Sequence, residues 1–322
     1  MTDTRRIVLF GGSGFVGSRL TPLLLKLGHD VVIADIADCQ QHPALYQACD
    51  LRDPEAVRRV CVGKDLIINL AAQHRDDVTP ISLYEEVNVQ GSRNVCRAAE
   101  GAGIQQIIFT SSVAVYGFQA GEVDETFPAR PFNEYGRTKW EAEGVYREWL
   151  GKDPAGRSLT VVRPTVIFGE GNRGNVYNLL SQIAGGRFLM VGNGRNRKSM
   201  AYVENVAGFL AHCLNAKPGE QLYNYVDKPD LDMNTLVGLV RRQLGRKENV
   251  VRMPYALGWL GGLAFDVMAF ALRRKFSVSR IRVKKFCAET VFTATRAASS
   301  GYAPPFSLRD SLERTVQYEF RR

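Results

Sequence analysis

Apolar and polar positions fall into two regimes along the first half of the chain. Short apolar runs at 7–10, 31–34, 66–70, 106–110 and 158–163 are bounded by glycine, proline or polar residues and read as buried strands. Between them, 18–27 (ended by Gly28) and 83–100 carry apolar residues at helical spacing. Strands alternating with helices predict an α/β fold, a doubly wound parallel sheet covered by helices. After about residue 170 the alternation loosens. Helices are expected at 176–184, at 203–214 and, capped by Ser307, at 308–318, with a strand at 222–226. The pattern divides the chain into a Rossmann-type unit, 1–170, and a smaller α/β unit, 171–322, laid against it without a clean boundary.

One stretch breaks the pattern. Residues 254–272 (PYALGWLGGLAFDVMAFAL) carry a single charge, Asp266, and run directly into Arg273-Arg274-Lys275. Three readings fit: a buried helix, a helix seated in a membrane surface, or a span of the roughly 30 Å hydrocarbon core. The basic residues that follow favour the cytoplasmic leaflet. They also locate the charge of the protein. Of the net +9 in 322 residues, +7 comes from Arg273, Arg274, Lys275, Arg280, Arg282, Lys284 and Lys285. Segment 254–285 is thus a local membrane-associating candidate on an otherwise nearly neutral chain. Nucleic acid is a poor partner for it, because no aromatic stacking platforms interleave with the charges. Six scattered cysteines without a CxxC pair argue against a zinc site or disulfide framework, and no metal is expected.

Two motifs carry chemistry. Gly11-Gly12-Ser13-Gly14-Phe15-Val16-Gly17 lies between the first strand and first helix, where the backbone must turn tightly and approach a pyrophosphate at the helix N-terminus. Asp35 ends the second strand; its carboxylate can accept from both ribose hydroxyls and would repel a 2′-phosphate, which favours NAD over NADP. The second motif is Tyr135-Gly136-Arg137-Thr138-Lys139. Positions four apart share a helix face, so phenol and ammonium reach one cavity, and a nearby cation lowers a tyrosine pKa toward that of a usable base. Ser112 follows the strand at 106–110, at the sheet edge where ligands bind.

Together with Asn69-Leu70-Ala71-Ala72, these motifs resemble the extended short-chain dehydrogenase/reductase family, in its sugar-nucleotide epimerase branch. The resemblance implies that Tyr135 is the base, that Lys139 holds the nicotinamide ribose, and that Ser112 hydrogen-bonds the reacting oxygen. It implies NAD contacts from Gly11, Gly14, Phe15, Val16, Gly17, Asp35, Asp50, Leu51, Ala71, Ala72 and Pro164, besides Tyr135 and Lys139. Asn88 falls where the family places an asparagine behind the site, and a helix-packing amide is an equal reading of it. Val113 and Ala114 stand where sugar dehydratases of the family carry an acidic pair, so dehydration is not expected. Lys198 stands where epimerases often carry an arginine.

Longer stretches, among them His74 to Val78, Asn172 to Tyr177 and Lys198 to Val203, are similar to bacterial epimerases that act on N-acetylglucosaminyl-diphospho-undecaprenol in O-antigen assembly. That similarity implies a lipid-linked diphospho-sugar as substrate, a peripheral location on the cytoplasmic side of the inner membrane, and room for a homodimer. His74, Arg75, Arg173, Asn175, Arg197 and Lys198 are the candidates to grip substrate. The residues alone leave open a soluble UDP-N-acetylhexosamine substrate, a 4-keto-sugar reductase and a protein that binds NAD without turnover.

Overall fold

The structure is a computed structural model and describes residues 4–75, 78–119, 121–247, 250–272 and 280–321. Arg273, Arg274 and Lys275 lie outside the described residues, and Arg280, Arg282 and Lys285 are described by backbone alone.

Seven strands pair in parallel in the order Gly219–Tyr225, Ser158–Pro164, Gln106–Thr110, Leu66–Asn69, Arg6–Phe10, Asp30–Asp35, Tyr46–Ala48. The period-two pattern of the first strand feeds two cores. Val8 and Phe10 pack with Val57, Val95 and Trp149 on one face, and Ile7 and Leu9 with Leu20, Leu24, Phe209 and Leu210 on the other. Both faces are covered, as a parallel sheet requires. The strand order reverses between Arg6–Phe10 and Leu66–Asn69, which opens a crevice beyond their C-terminal ends, the ligand position of a Rossmann fold.

The later part of the chain is shared between two bodies. Helix Val203–His212 and strand Gly219–Tyr225 return to the large sheet, so residues beyond 170 complete it. The strands Val166–Phe168, Arg197–Tyr202 and Asp227–Asp232 form a second, mixed sheet, against which helices Asn175–Ala184, Met233–Gln243 and Leu308–Phe320 bury Leu180, Leu236 and Leu312. Ser307 caps the last helix as the sequence predicts, its hydroxyl accepting from the Asp310 N–H at 3.1 Å. Two helices that the pattern did not disclose use the same device: Asp53 caps Pro54–Cys61 and Asp232 caps Met233–Gln243.

The apolar stretch forms the helix Tyr255–Leu272, with Tyr255, Leu257, Leu260 and Met268 exposed. Among the described residues no helix is long and apolar enough to cross a membrane. This helix has 18 residues, about 27 Å at 1.5 Å each.

Candidate active site

The glycine turn is built for close approach. Gly11 has φ +74°, and a Cβ there would stand 2.6 Å from the backbone nitrogen of Ala71, so the loop after Leu66–Asn69 lies directly on the turn. Asn69 holds that loop, its side chain accepting from the Ala71 N–H at 3.0 Å while donating to the Tyr146 hydroxyl at 2.7 Å. Asp35 reaches the turn from the neighbouring strand and accepts from the Ser13 N–H at 3.0 Å and the Ala37 N–H at 3.1 Å. The Ser13 hydroxyl is buried without a hydrogen-bond partner. A turn closed to side chains, an unpaired hydroxyl within it, a helix start behind it and a carboxylate at its rim together fit the phosphates and ribose of a dinucleotide. Gly14, Phe15, Val16 and Gly17 complete the turn, and Pro164 ends the strand Ser158–Pro164 beyond Ser112. Leu51 is buried against Gly91, and Asn94 donates to its carbonyl at 2.8 Å; Asp50 is paired with Arg52 at 2.6 Å, which holds its carboxyl below the usual range.

The catalytic candidates lie on the helix Glu134–Gly151 and the loop after Gln106–Thr110. Asn133 caps the helix, accepting from the Gly136 N–H at 2.9 Å. The first turn then presses on the loop: a Cβ at Gly136 would stand 2.5 Å from the Ala114 carbonyl oxygen. That approach brings the Ser112 side chain beside the Tyr135 phenol, where it acts to lower the phenol's pKa. Lys139 is 2% exposed, donates to the Thr110 carbonyl at 2.8 Å, and lies 4.6 Å from the centre of the Phe109 ring. Ser112 thus stands beside Tyr135, and Lys139 lies one turn further along the same helix.

Their electrostatics differ from the expectation drawn from the sequence. Burial raises the Tyr135 pKa, and Ser112 only partly opposes it. Burial pushes Lys139 down to about 7, with Glu143 acting against the shift. An ammonium drawn toward neutrality and turned to a backbone carbonyl lends the phenol little, so desolvation outweighs the cation effect here.

Asn88 resolves as a bridge. It sits in a π-helical turn, Glu85–Gln90, where its amide accepts from the Gln73 N–H at 2.8 Å and donates to the Gln73 carbonyl at 3.0 Å and to Thr138 Oγ1 at 2.9 Å. It ties the Ala71-Ala72 loop to the catalytic helix.

A model of the NAD dependent epimerase/dehydratase family matches residues 7–225. The chain belongs to this family. Its cofactor is NAD. The chain is 53% identical over 98% of its length, and 95% of the relative's, to the N-acetyl-α-D-glucosaminyl-diphospho-ditrans,octacis-undecaprenol 4-epimerase of Escherichia coli O157:H7. It is 28% identical, over 98% of its length and 92% of the relative's, to a 3-β-hydroxysteroid dehydrogenase of Mycolicibacterium neoaurum. Among solved structures, the UDP-glucose 4-epimerase of Thermotoga maritima superposes with a TM-score of 0.76 at 20% identity, covering 97% of this chain and 98% of that one. The UDP-glucose 4-epimerase of Thermus thermophilus, solved with NAD, gives 0.74 at 20% identity, covering 97% of this chain and 98% of that one. These two neighbours show the shared epimerase-family fold.

The candidate substrate residues are less convergent than the family's cofactor and catalytic motifs. His74 and Arg75 are exposed on the loop after Leu66–Asn69, and the Arg75 carbonyl accepts from the Tyr84 hydroxyl. Arg173 pairs with Glu319 at 2.8 Å and lies 4.3 Å from the Tyr177 ring centre; Asn175 is exposed at the start of the next helix. Arg197 meets Glu289 at 2.8 Å and Glu122 at 3.5 Å. Lys198 donates to the Ala288 carbonyl, and burial lowers its pKa to about 8. Arg197 and Lys198 thus share the segment 288–289, while His74, Arg75 and Arg173 stand on other elements.

Sequence reasoning assigned no role to Ser111, Tyr116, Glu143, Arg163 and Asn224, which form a buried network directly behind Ser112 and Lys139. The readable signal was charge in the wrong place: an arginine inside a core strand, and a glutamate one helical turn beyond Lys139 on the buried face.

Proposed function

We propose that the protein is a 4-epimerase that interconverts N-acetylglucosaminyl-diphospho-undecaprenol and its N-acetylgalactosaminyl epimer, for polysaccharide assembly. The observation that carries this reading is the 53% identity, over nearly the full length of both chains, to the relative of that name. The site supports it chemically. When bound, NAD supplies a group that takes a hydride from C4 of the sugar and returns it, together with a positive ring charge beside the phenol. Tyr135 takes the 4-hydroxyl proton and gives it back, and Ser112 orients that oxygen from its place beside Tyr135. Lys139 lies one turn below Tyr135 and binds the ribose of the cofactor. The ketone must turn over between the two transfers, so the hexose is held loosely and the grip falls on the diphosphate. Val113 and Ala114, in the short turn Val113–Tyr116 after Ser112, can neither donate nor accept a proton, which leaves epimerisation without dehydration.

The same reading extends to a peripheral membrane seat. The helix Tyr255–Leu272 exposes Leu257, Leu260 and Met268, and an open cleft of about 400 Å³, lined by Val191, Asn193, Asn196, Tyr255, Lys284 and Cys287, adjoins its start. Apolar surface beside a cation suits a lipid-linked anion at the cytoplasmic face.

The test is incubation of purified protein with lipid-linked N-acetylglucosamine, followed by release and identification of the sugar. Appearance of N-acetylgalactosamine without added NADH is the expected result. Conversion of UDP-N-acetylglucosamine alone would overturn the lipid-linked substrate, and stoichiometric NADH consumption would make the protein a reductase.

A further inference from the structure

Arg163 and Glu143 face each other inside the protein with side chains 3% and 0% exposed. A buried ion pair is weak support for stability, because desolvation offsets its attraction, and such a pair persists where it fixes a geometry. This one reaches both halves of the catalytic constellation. Glu143 Oε1 accepts from the Ser111 hydroxyl at 2.6 Å and from Arg163 Nε at 2.8 Å; Oε2 accepts from Arg163 Nη2 at 2.6 Å and from Arg147 Nη2 at 2.9 Å. Arg163 Nη1 donates to the Tyr116 hydroxyl at 2.7 Å, and that hydroxyl donates to Asn224 Oδ1 at 2.8 Å. Ser111 precedes Ser112, and Tyr116 closes the short turn that Ser112 caps. Glu143 lies one turn beyond Lys139 and two beyond Tyr135 on the same helix.

We propose that Glu143 and Arg163 are positioning residues, a clamp gripping the Ser112 loop at Ser111 and Tyr116 and holding it beside Tyr135. Lys139 adds a second buried tie, from the same helix to the Thr110 carbonyl just before Ser111, at 2.8 Å. The clamp also has an electrical consequence. The Glu143 carboxylate acts on Lys139 against the desolvation that pushes its pKa down. Asn224 extends the grip to the sheet's edge strand, where its own N–H donates to Glu125 at 2.8 Å.

The experiment uses the NAD-loaded protein and two readouts. The first is kcat and KM on the substrate proposed above. The second, independent of that substrate, is spectrophotometric titration of the Tyr135 phenol, taken as the difference between each protein and the same protein carrying Tyr135→Phe. Glu143→Gln keeps the shape and removes the charge. It is expected to lower kcat at least tenfold with KM within about twofold, and to move the phenol titration to higher pH, because the Ser112 contact that lowers the phenol's pKa loosens. Ser111→Ala, a milder cut that leaves the ion pair whole, is expected to lower kcat several-fold and to move the titration in the same direction by less. A Glu143→Gln protein that retains NAD and shows an unchanged kcat or an unmoved titration overturns the proposal. If Glu143→Gln fails to fold, the decision passes to Ser111→Ala, and a kcat within twofold of the parent sinks the clamp. A parent protein inactive on the lipid-linked sugar, with the titration nevertheless shifted by Glu143→Gln, overturns the substrate and leaves the clamp standing.

Discussion

The crevice above the large sheet and the mixed sheet beyond residue 170 treat their charged residues in opposite ways. In the crevice, functional groups are buried or half-buried and held by neighbours: Lys139 is bound to the Thr110 carbonyl, and Asp35 reaches the glycine turn. In the mixed-sheet region, Arg173 and Arg197 are exposed and paired with acids on other elements. Buried polar groups are expensive and are kept for geometry. Exposed pairs are cheap and exchangeable, worth about 0–1 kcal/mol. The comparison teaches that the catalytic candidates are held in fixed geometry, while the candidate substrate residues keep partners they can exchange.

The most severe way to break this contrast is to remove the reacting group. Tyr135→Phe keeps the ring and its packing but deletes the proton acceptor. Loss of general-base catalysis is expected to lower kcat by roughly 10²–10⁴-fold, with NAD content unchanged. Near-parental turnover by that variant would remove the phenol from the chemistry.

Next in size is the glycine turn. Gly11→Ala adds a methyl 2.6 Å from the Ala71 nitrogen at a residue with φ +74°. Overpacking and left-handed strain together cost roughly 2–5 kcal/mol. Bound NAD, released by denaturation and quantified, should fall at least tenfold per mole of protein. Unchanged occupancy would mean that the turn does not contact the cofactor.

The same contrast explains what could be read in advance. The strands, the glycine turn, Asp35, Ser112 and the Tyr135–Lys139 pair were legible because each rests on local spacing that the backbone converts directly into position. The clamp was not, because Glu143 and Arg163 are 20 residues apart and meet only once the sheet and helix have packed. The partners of Arg173 and Arg197 were hidden for the same reason: Glu319 is 146 positions from Arg173 and Glu289 is 92 from Arg197. Helix Pro54–Cys61 escaped because it is only eight residues long, although its aspartate cap and first-turn proline were there to be read. Strand Gly219–Tyr225 was legible as a strand, but not as the member that carries later sequence back into the first sheet.

A third, intermediate effect tests how costly the crevice is. Lys139 has a folded pKa of about 7 against about 10.4 unfolded. Below pH 7 the lysine is protonated in both states and the full burial penalty weakens the fold. As pH rises from 7 toward 10, the folded protein sheds the proton first and the penalty fades. Its ceiling is about 5 kcal/mol, from the shift and 1.36 kcal/mol per unit. Lys139→Met in the NAD-free protein should therefore raise Tm relative to the parent by more at pH 6 than at pH 9. An advantage that grows with pH would reverse the sign of the argument.

The smallest effects sharpen the comparison most, because they test the region that looks functional by charge and structural by contact. Arg173 leans on Glu319 and the Tyr177 ring, and Arg197 on Glu289 and Glu122. If those pairs are only surface ion pairs, Arg173→Ala and Arg197→Ala should each change kcat/KM no more than about fivefold, matching about 1 kcal/mol or less. If either arginine leaves its acid to hold the diphosphate, KM should rise more than tenfold at constant kcat, the mark of binding lost equally from ground and transition states. The partner acid separates the two cases. Glu319→Gln or Glu289→Gln frees the arginine, and a fall in KM in that variant would show that the resting ion pair competes with substrate. An unchanged KM in all four variants would return the grip to His74, Arg75 and Lys198.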